Sequence, residues 1–349
     1  SFSSHQVSNH NIKGEGLKDQ KSLSGLTNKP SLCFSDVKGQ EGIKRAMEVA
    51  AAGGHNILLI GPPGAGKTMI SKRLPSILPE MNFQEALETT KIHSVAGILE
   101  THGLLCQRPF RSPHHSISDV ALVGGGSFPQ PGEISLAHNG VLFLDELPEF
   151  KKGVLEVLRQ PLEDRKITIF RAKYTISYPA SFMLVASMNP SPSGHFSQQN
   201  TLYDSNAQEA QRYVSKISGP LLDRIDIQLE VQAVSYEKLS DTSFSEKSAV
   251  ILERVQKSRD IQLKRFKTIK GVFHNAQMDV NEIQAFCVLN DESQLIIKAA
   301  MKRLRFSARA YSRIIKVART IADLEGAIDI QSVHIAEAIQ YRTMDRNTY

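Results

Sequence analysis

The sequence predicts an α/β fold built on a central parallel sheet, followed by a small α-helical domain. Three observations carry this expectation. Short apolar runs recur between residues 56 and 231, as strands buried on both faces of a parallel sheet do. The first, Asn56-Ile57-Leu58-Leu59-Ile60, runs straight into the glycine-rich Gly61-Pro62-Pro63-Gly64-Ala65-Gly66-Lys67-Thr68. From about Tyr236 the strand signals stop and helical spacing takes over.

The chain has 349 residues, room for two domains or one large one. Hydrophobic residues make up 41% and charged residues 22%, an ordinary soluble composition. No apolar run approaches the roughly 18 residues that span a bilayer. No signal-peptide pattern opens the chain. It begins at Ser1 rather than Met, as a fragment of a longer protein would. Cys33, Cys106 and Cys287 are far apart and form no C-x-x-C pair. That argues against zinc and a disulfide framework, and fits a reducing cytoplasm. The net charge of +6 and pI near 9.1 are compatible with an anionic partner, but a charge of this size alone carries little weight.

Taken in order, residues 1–30 are rich in Ser, Asn, Lys and Gly and read as a flexible lead. Ile43, Ala46, Met47 and Ala50 recur at helical spacing, predicting a helix over Glu41–Ala52, with Ser35 or Asp36 as cap and Gly53-Gly54 as stop. The loop that follows the first strand fits G-x-x-x-x-G-K-[ST], a pattern expected by chance in roughly one chain in a hundred of this size. Strand before and helix after (Met69–Leu74, halted by Pro75) are the context the motif needs. Its glycines let backbone N–H groups curl around phosphate oxygens. Gly61, Pro62, Pro63, Gly64, Ala65, Gly66, Lys67, Thr68 and Met69 are the expected ATP-binding residues. Lys67 would reach the β/γ-phosphates, and Thr68 would hold Mg²⁺.

Residues 76–106 read as mixed helix and loop. Arg108-Pro109-Phe110-Arg111-Ser112-Pro113-His114-His115-Ser116, leading to Gly124-Gly125-Gly126, reads as a mobile functional loop. Its adjacent histidines have no third ligand nearby by spacing, so a metal site is disfavoured. Gly140-Val141-Leu142-Phe143-Leu144 ends in Asp145-Glu146. Carboxyl ends of neighbouring parallel strands share one crevice, so this run delivers two carboxylates to the phosphate loop. Asp145 would hold Mg²⁺ through water, and Glu146 would polarise the attacking water as general base.

Val154–Leu162 predicts a short helix ending near Pro161. Ile167–Phe170 and Tyr174–Tyr178, joined by Arg171-Ala172-Lys173, predict a hairpin with a basic turn. Phe182–Ala186 predicts another buried strand, leaving Asn189 beside the phosphate loop, placed to orient water or the γ-phosphate. Ile227–Val231 predicts the last sheet strand. Residues 239–246 form a polar linker. The stretch 298–319 carries Lys298, Lys302, Arg303, Arg305, Arg309, Arg313, Lys316 and Arg319 with no acid among them, which makes an anionic ligand attractive there.

These residues resemble the AAA+ ATPases, and within them the Mg-chelatase-like ComM/YifB family. The specific motifs are Phe110–His115, Gly132–His138, Leu144-Asp145-Glu146-Leu147-Pro148-Glu149-Phe150 and Ala318–Leu324. The resemblance runs from about Asp36 to the C-terminus. It implies a three-layer P-loop AAA+ core over 31–238 and a helical lid over 239–349. By resemblance Asn189 stands at the sensor-1 position, Arg224 in Leu222-Asp223-Arg224-Ile225-Asp226 is an arginine finger reaching a neighbouring subunit's ATP, and Arg309 is sensor 2. It further implies a homo-oligomeric ring, expected to be a hexamer, with no membrane partner. The expected function is that of a cytoplasmic DNA translocase or branch-migration helicase acting on single-stranded or branched DNA in natural transformation. The alternative is a protein-remodelling motor like the magnesium chelatase ATPase subunit. Two features depart from the family. A Lon-protease-like domain that usually precedes the core is lacking. A cysteine cluster after Asn189-Pro190 is replaced by Ser191-Pro192-Ser193-Gly194-His195-Phe196, which argues against zinc there.

Overall fold

Apolar runs with no polar face cannot lie at a surface, and in the computed structural model they assemble into one buried sheet. The structure describes residues 32–99, 103–126, 129–170, 175–191, 212–235, 245–304 and 306–342. The strands are β1 (Ile57–Ile60), β2 (Phe110–Arg111), β3 (Gly124–Gly125), β4 (Gln130–Pro131), β5 (Val141–Leu144), β6 (Lys166–Phe170), β7 (Thr175–Pro179), β8 (Met183–Met188) and β9 (Ile227–Glu230). Around them lie α1 (Glu41–Gly53), α2 (Lys67–Ser71), α3 (Phe83–Val95), α4 (Asp119–Val123), α5 (Glu133–Leu136), α6 (Lys152–Val157), α7 (Arg159–Asp164) and α8 (Gly219–Leu222). The chain closes with α9 (Ser248–Arg265), α10 (Val280–Phe286), α11 (Asp291–Leu304), α12 (Ala308–Leu324) and α13 (Ser332–Gln340).

The main sheet runs β2-β5-β8-β1-β9, and each neighbouring pair is parallel. Successive strand residues face opposite sides. Leu58, Ile60, Leu142, Leu144, Leu184 and Ala186 join one buried cluster with Leu122, Ile134 and Leu158. Ile57, Leu59, Val141, Phe143, Val185 and Ile227 join a second with Met47, Ile251 and Ile314. Two cores on the two faces of one sheet make a three-layer α/β fold, as expected. Each fully buried Leu or Ile contributes about 1.5–3 kcal/mol, so the double-sided strands anchor the fold.

Helix α1 forms where expected and ends at Gly54, in the left-handed conformation at φ 68°. Its cap differs from expectation. Ser35 and Asp36 lie in a short 3-10 turn, and Gln40 at φ 58° precedes the helix. Gln40 Nε2 donates to the Ala65 and Gln232 carbonyls, so tertiary contacts select this turn. The helix after the phosphate loop is shorter than expected. It starts at Lys67 and stops at Ser71, and Pro75 sits inside a following 3-10 turn, Leu74–Ile77. The predicted Val154–Leu162 helix is two helices, α6 and α7. Pro161 lies in the first turn of α7 rather than at its end.

The segment expected to be a mobile loop is partly sheet. β2 pairs with β5, Phe110 against Val141 and Arg111 against Leu142. Arg108 pins its start, donating to both Glu85 carboxylate oxygens (2.9 and 3.1 Å), to the Pro79 carbonyl (2.6 Å) and to the Asn139 carbonyl (2.8 Å). Arg111 forks onto Glu133 at 2.6 and 2.7 Å. The hairpin forms as expected from β6 and β7. Its basic residues Arg171 and Lys173 lie outside the described residues, as do His195 and Arg305.

The basic stretch is compensated in part, over its second half. Asp223 and Asp226 are counter-charges brought from elsewhere in the chain, and Asp323 lies four residues past Arg319 on α12 itself. Arg313 pairs with Asp226, Arg319 with Asp323, and Arg309 stands 3.8 Å from Asp223. Lys316 donates to the Ala276 carbonyl at 3.2 Å. Burial pushes its ammonium down to about 8, against the opposing pull of Asp226. The other half of α12 is apolar, and Ile314, Ile315, Ala318 and Ile321 enter the same core as the sheet.

Candidate active site

Strand order decides which loops meet. β8 lies between β1 and β5, with Ile60 opposite Met188 and Leu144 opposite Ala186. The segments leaving these three strands therefore emerge side by side. They form a cleft of about 360 Å³ whose lining includes Pro63, Gly64, Gly66, Met69, Asp145 and Glu146. Lys67, Thr68, Ser187, Met188 and Asn189 complete its wall.

The glycine loop has two kinds of glycine. Gly64 (φ 78°) and Gly66 (φ 87°) take the left-handed region that other residues avoid. Gly61 is needed for space, since a Cβ there would lie 2.1 Å from the Val231 carbonyl oxygen. Ala65 is buried, and its carbonyl accepts from Gln40. Lys67 is only 8% exposed. Its ammonium donates to the Gly61 carbonyl (2.6 Å), the Pro62 carbonyl (2.9 Å) and Asn189 Oδ1 (3.0 Å). Burial holds its pKa below the usual lysine range, while Asp145 and Glu146 oppose that shift.

On the other wall, Thr68 Oγ1 donates to Asp145 Oδ2 at 2.7 Å, and the Ser187 hydroxyl donates to Asp145 Oδ1. Ser187 escaped the sequence reading. The signal was its place as a polar residue in the last turns of an apolar strand, two before Asn189. Glu146 adopts φ 55°, ψ 52°, a conformation that costs a non-glycine residue about 1–3 kcal/mol and clusters at functional sites. Its N–H donates to Ser187 Oγ at 3.4 Å. His115, passed over in the sequence as half of a poor metal site, places Nδ1 3.8 Å from Glu146 Oε2.

The donor set fits a nucleotide phosphate chain with Mg²⁺. Lys67's hydrogen bonds now end on neutral oxygens, which anionic phosphate oxygens would outcompete. Thr68 and Asp145 offer the hard oxygen ligands Mg²⁺ takes. Those two would hold the ion, and it would supply neutralisation of charge on the phosphoryl oxygens.

Arg224 and Arg309 are not in this cleft. Arg224, expected by resemblance to reach a neighbouring subunit's ATP, is 5% exposed within its own chain. It pairs with Glu163 of α7 and donates to the Pro220 carbonyl. Arg309 is exposed beside Asp223. Around them, Asp226 accepts from Asn56 N at 3.0 Å and pairs with Arg313. Burial disfavours the Asp226 carboxylate, but Arg313 and His55 hold it far below the usual range. Asn56 Nδ2 donates to the Arg224 carbonyl at 3.1 Å, tying this cluster to the start of β1.

The chain matches two family profiles, "Magnesium chelatase, subunit ChlI" over residues 33–239 and "Magnesium chelatase, subunit ChlI C-terminal" over 245–342. It is 49% identical over 329 residues to competence protein ComM of Haemophilus influenzae, covering 94% of this chain and 63% of that protein. It is 47% identical over 314 residues to YifB of Escherichia coli, covering 90% of this chain and 61% of that protein. Identity to the magnesium-chelatase 38 kDa subunit of Rhodobacter capsulatus is 27% over 188 residues, 49% of this chain and 54% of that one. The chain thus spans about three-fifths of the length of its ComM and YifB relatives. Family profiles over most of its length and the identity to ComM and YifB lead to one conclusion: the chain belongs to the Mg-chelatase-like AAA+ family, in its ComM/YifB branch.

Proposed function

We propose that this chain is the ATP-hydrolysing core of a ring-forming DNA motor of the ComM type, a translocase or branch-migration helicase that extends recombination intermediates in natural transformation. The observation that carries the ATPase reading is the bonded set of Lys67, Asn189, Thr68, Asp145 and Ser187 around one cleft. In it, Lys67 and Asn189 position the γ-phosphate, and Glu146 takes the proton of the attacking water. Arg224 comes from a neighbouring subunit to stabilise the transition-state charge, as does Arg309 in the sensor-2 role. A trans arginine is worth about 10³–10⁵ in rate. Residues 31–238 act as the core and 239–349 as the lid of a cytoplasmic enzyme, in keeping with three free cysteines.

The DNA reading is supported by the ComM resemblance and by the hairpin, whose Phe170 is 72% exposed at the end of β6. An apolar ring offered at a tip can stack on bases. The likeness to a magnesium-chelatase subunit favours a second reading, in which the motor remodels a protein partner.

Steady-state ATP turnover with and without single-stranded or branched DNA separates these readings, with Glu146→Gln as control. The DNA reading expects stimulation that Glu146→Gln loses while still binding ATP. Turnover indifferent to DNA and raised by a protein partner selects the remodelling reading. Normal turnover by Glu146→Gln removes the catalytic assignment.

A further inference from the structure

We propose that His115 is a positioning residue for Glu146, holding the carboxylate in the stance from which it acts. The inference rests on the reading of Glu146 as the general base. Topology brings the two together. β2 is hydrogen-bonded to β5, so the chain leaving β2 runs beside the chain leaving β5. His115 stands four residues past β2, and Glu146 two past β5.

The base of this segment is fixed before the histidines are reached. Arg108 is held by Glu85, Phe110 stacks on Phe143 at 6.0 Å, and Arg111 is forked onto Glu133. The His115 ring is then held from two sides. His114 lies against it at 4.0 Å, and Phe150 meets it edge-on at 6.4 Å and 81°. His114 is itself tied to Ser116, with His114 Nδ1 2.9 Å from the Ser116 hydroxyl and accepting from the Ser116 N–H at 3.3 Å. The two histidines thus divide the work. His114 braces, and His115 aims Nδ1 at Glu146 Oε2 from 3.8 Å.

Glu146 needs such a partner. Its backbone is left-handed, its carboxylate is about half exposed, and His115 is the ion-pair partner it has among the described residues. A free glutamate there would sample several rotamers, and placing the reacting group is worth up to about a hundredfold in rate. The alternative is an idle surface pair, of the sort that contributes nothing measurable.

The test compares kcat, KM for ATP and melting temperature across variants of this chain. His115→Ala is expected to lower kcat about tenfold while KM and melting temperature stay put. His115→Gln, which keeps a polar group at similar reach, is expected to recover most of that loss. In a Glu146→Gln background, adding His115→Ala should leave the residual turnover unchanged, because the two act as one unit. An unchanged kcat in His115→Ala overturns the proposal, as does a further loss in the double variant. Should Glu146→Gln turn over normally, the general-base reading itself fails, and that is a separate result.

Discussion

The cleft at the strand ends and the arginine cluster around Asp223 are built on opposite plans. In the cleft, Lys67, Thr68, Asp145, Ser187 and Asn189 bond to one another and face open space. In the cluster, Arg224, Arg309 and Arg313 are engaged by Glu163, Asp223 and Asp226, and none of them lines the cleft. One chain therefore carries the groups proposed to handle phosphate in its cleft, while the arginines proposed to act on the transition state lie away from it. If both regions serve one reaction, the arginines must meet a second copy's cleft.

The largest expected effect tests that inference directly. Glu146→Gln and Arg224→Ala are each expected to lose turnover by about 10³-fold or more. Mixed in equal amounts, they should recover activity, because roughly a quarter of randomly assembled interfaces would pair an intact cleft with an intact Arg224. No recovery in a mixture shown to co-assemble would put Arg224 in the service of its own chain, or of stability alone.

The next prediction asks whether the cluster is scaffolding as well. Asp226 is 2% exposed and is faced by Arg313, His55 and the Asn56 N–H. Asp226→Ala would leave Arg313 without its buried counter-charge, at a cost of about 3–5 kcal/mol in denaturant unfolding. The sign of the pH effect follows from its depressed pKa. Its stabilisation is present above the unfolded value of about 4 and is lost as pH falls below it. The parent chain should thus lose more stability on acidification than the variant. A cost under about 1 kcal/mol would mean the cluster is loosely held, and would erase the contrast with the cleft.

The cleft was far more legible in the sequence than the cluster, and the reason is range. The glycine loop, the apolar runs and Asp145-Glu146 are local patterns, and parallel strands bring their ends together without further information. Asn189 could be read for the same reason. The cluster depends on pairs far apart in sequence. Glu163 meets Arg224, and Asp226 meets Arg313 across 87 positions. No local period reports such pairs, so residues 298–319 looked like free positive charge. His115 and Ser187 were missed likewise, because each matters only through a neighbouring strand. Gln40 shows the same override at a helix start, where contacts to the phosphate loop outweighed the capping preference of Ser35 and Asp36.

Lys316 gives the smallest effect and sharpens the contrast from the other side. It is a cation the cluster region tolerates rather than needs. Burial lowers its pKa to about 8, and Arg313 and Arg165 push the same way, while Asp226 resists. An unfolded lysine titrates near 10.4. Between about pH 8 and 10.4 the unfolded chain binds more protons than the folded one, so this residue's contribution to stability rises with pH. Below pH 8 the folded state bears the full cost of burying the charge. Lys316→Met removes that cost and keeps the apolar stem, but it leaves the Ala276 carbonyl without its donor, a loss of about 1 kcal/mol. The net expectation at pH 7 is a gain of about 1 kcal/mol in urea unfolding, with the alkaline rise abolished. A loss at pH 7 would instead make Lys316 a working member of the cluster, held charged by Asp226 as Arg313 is.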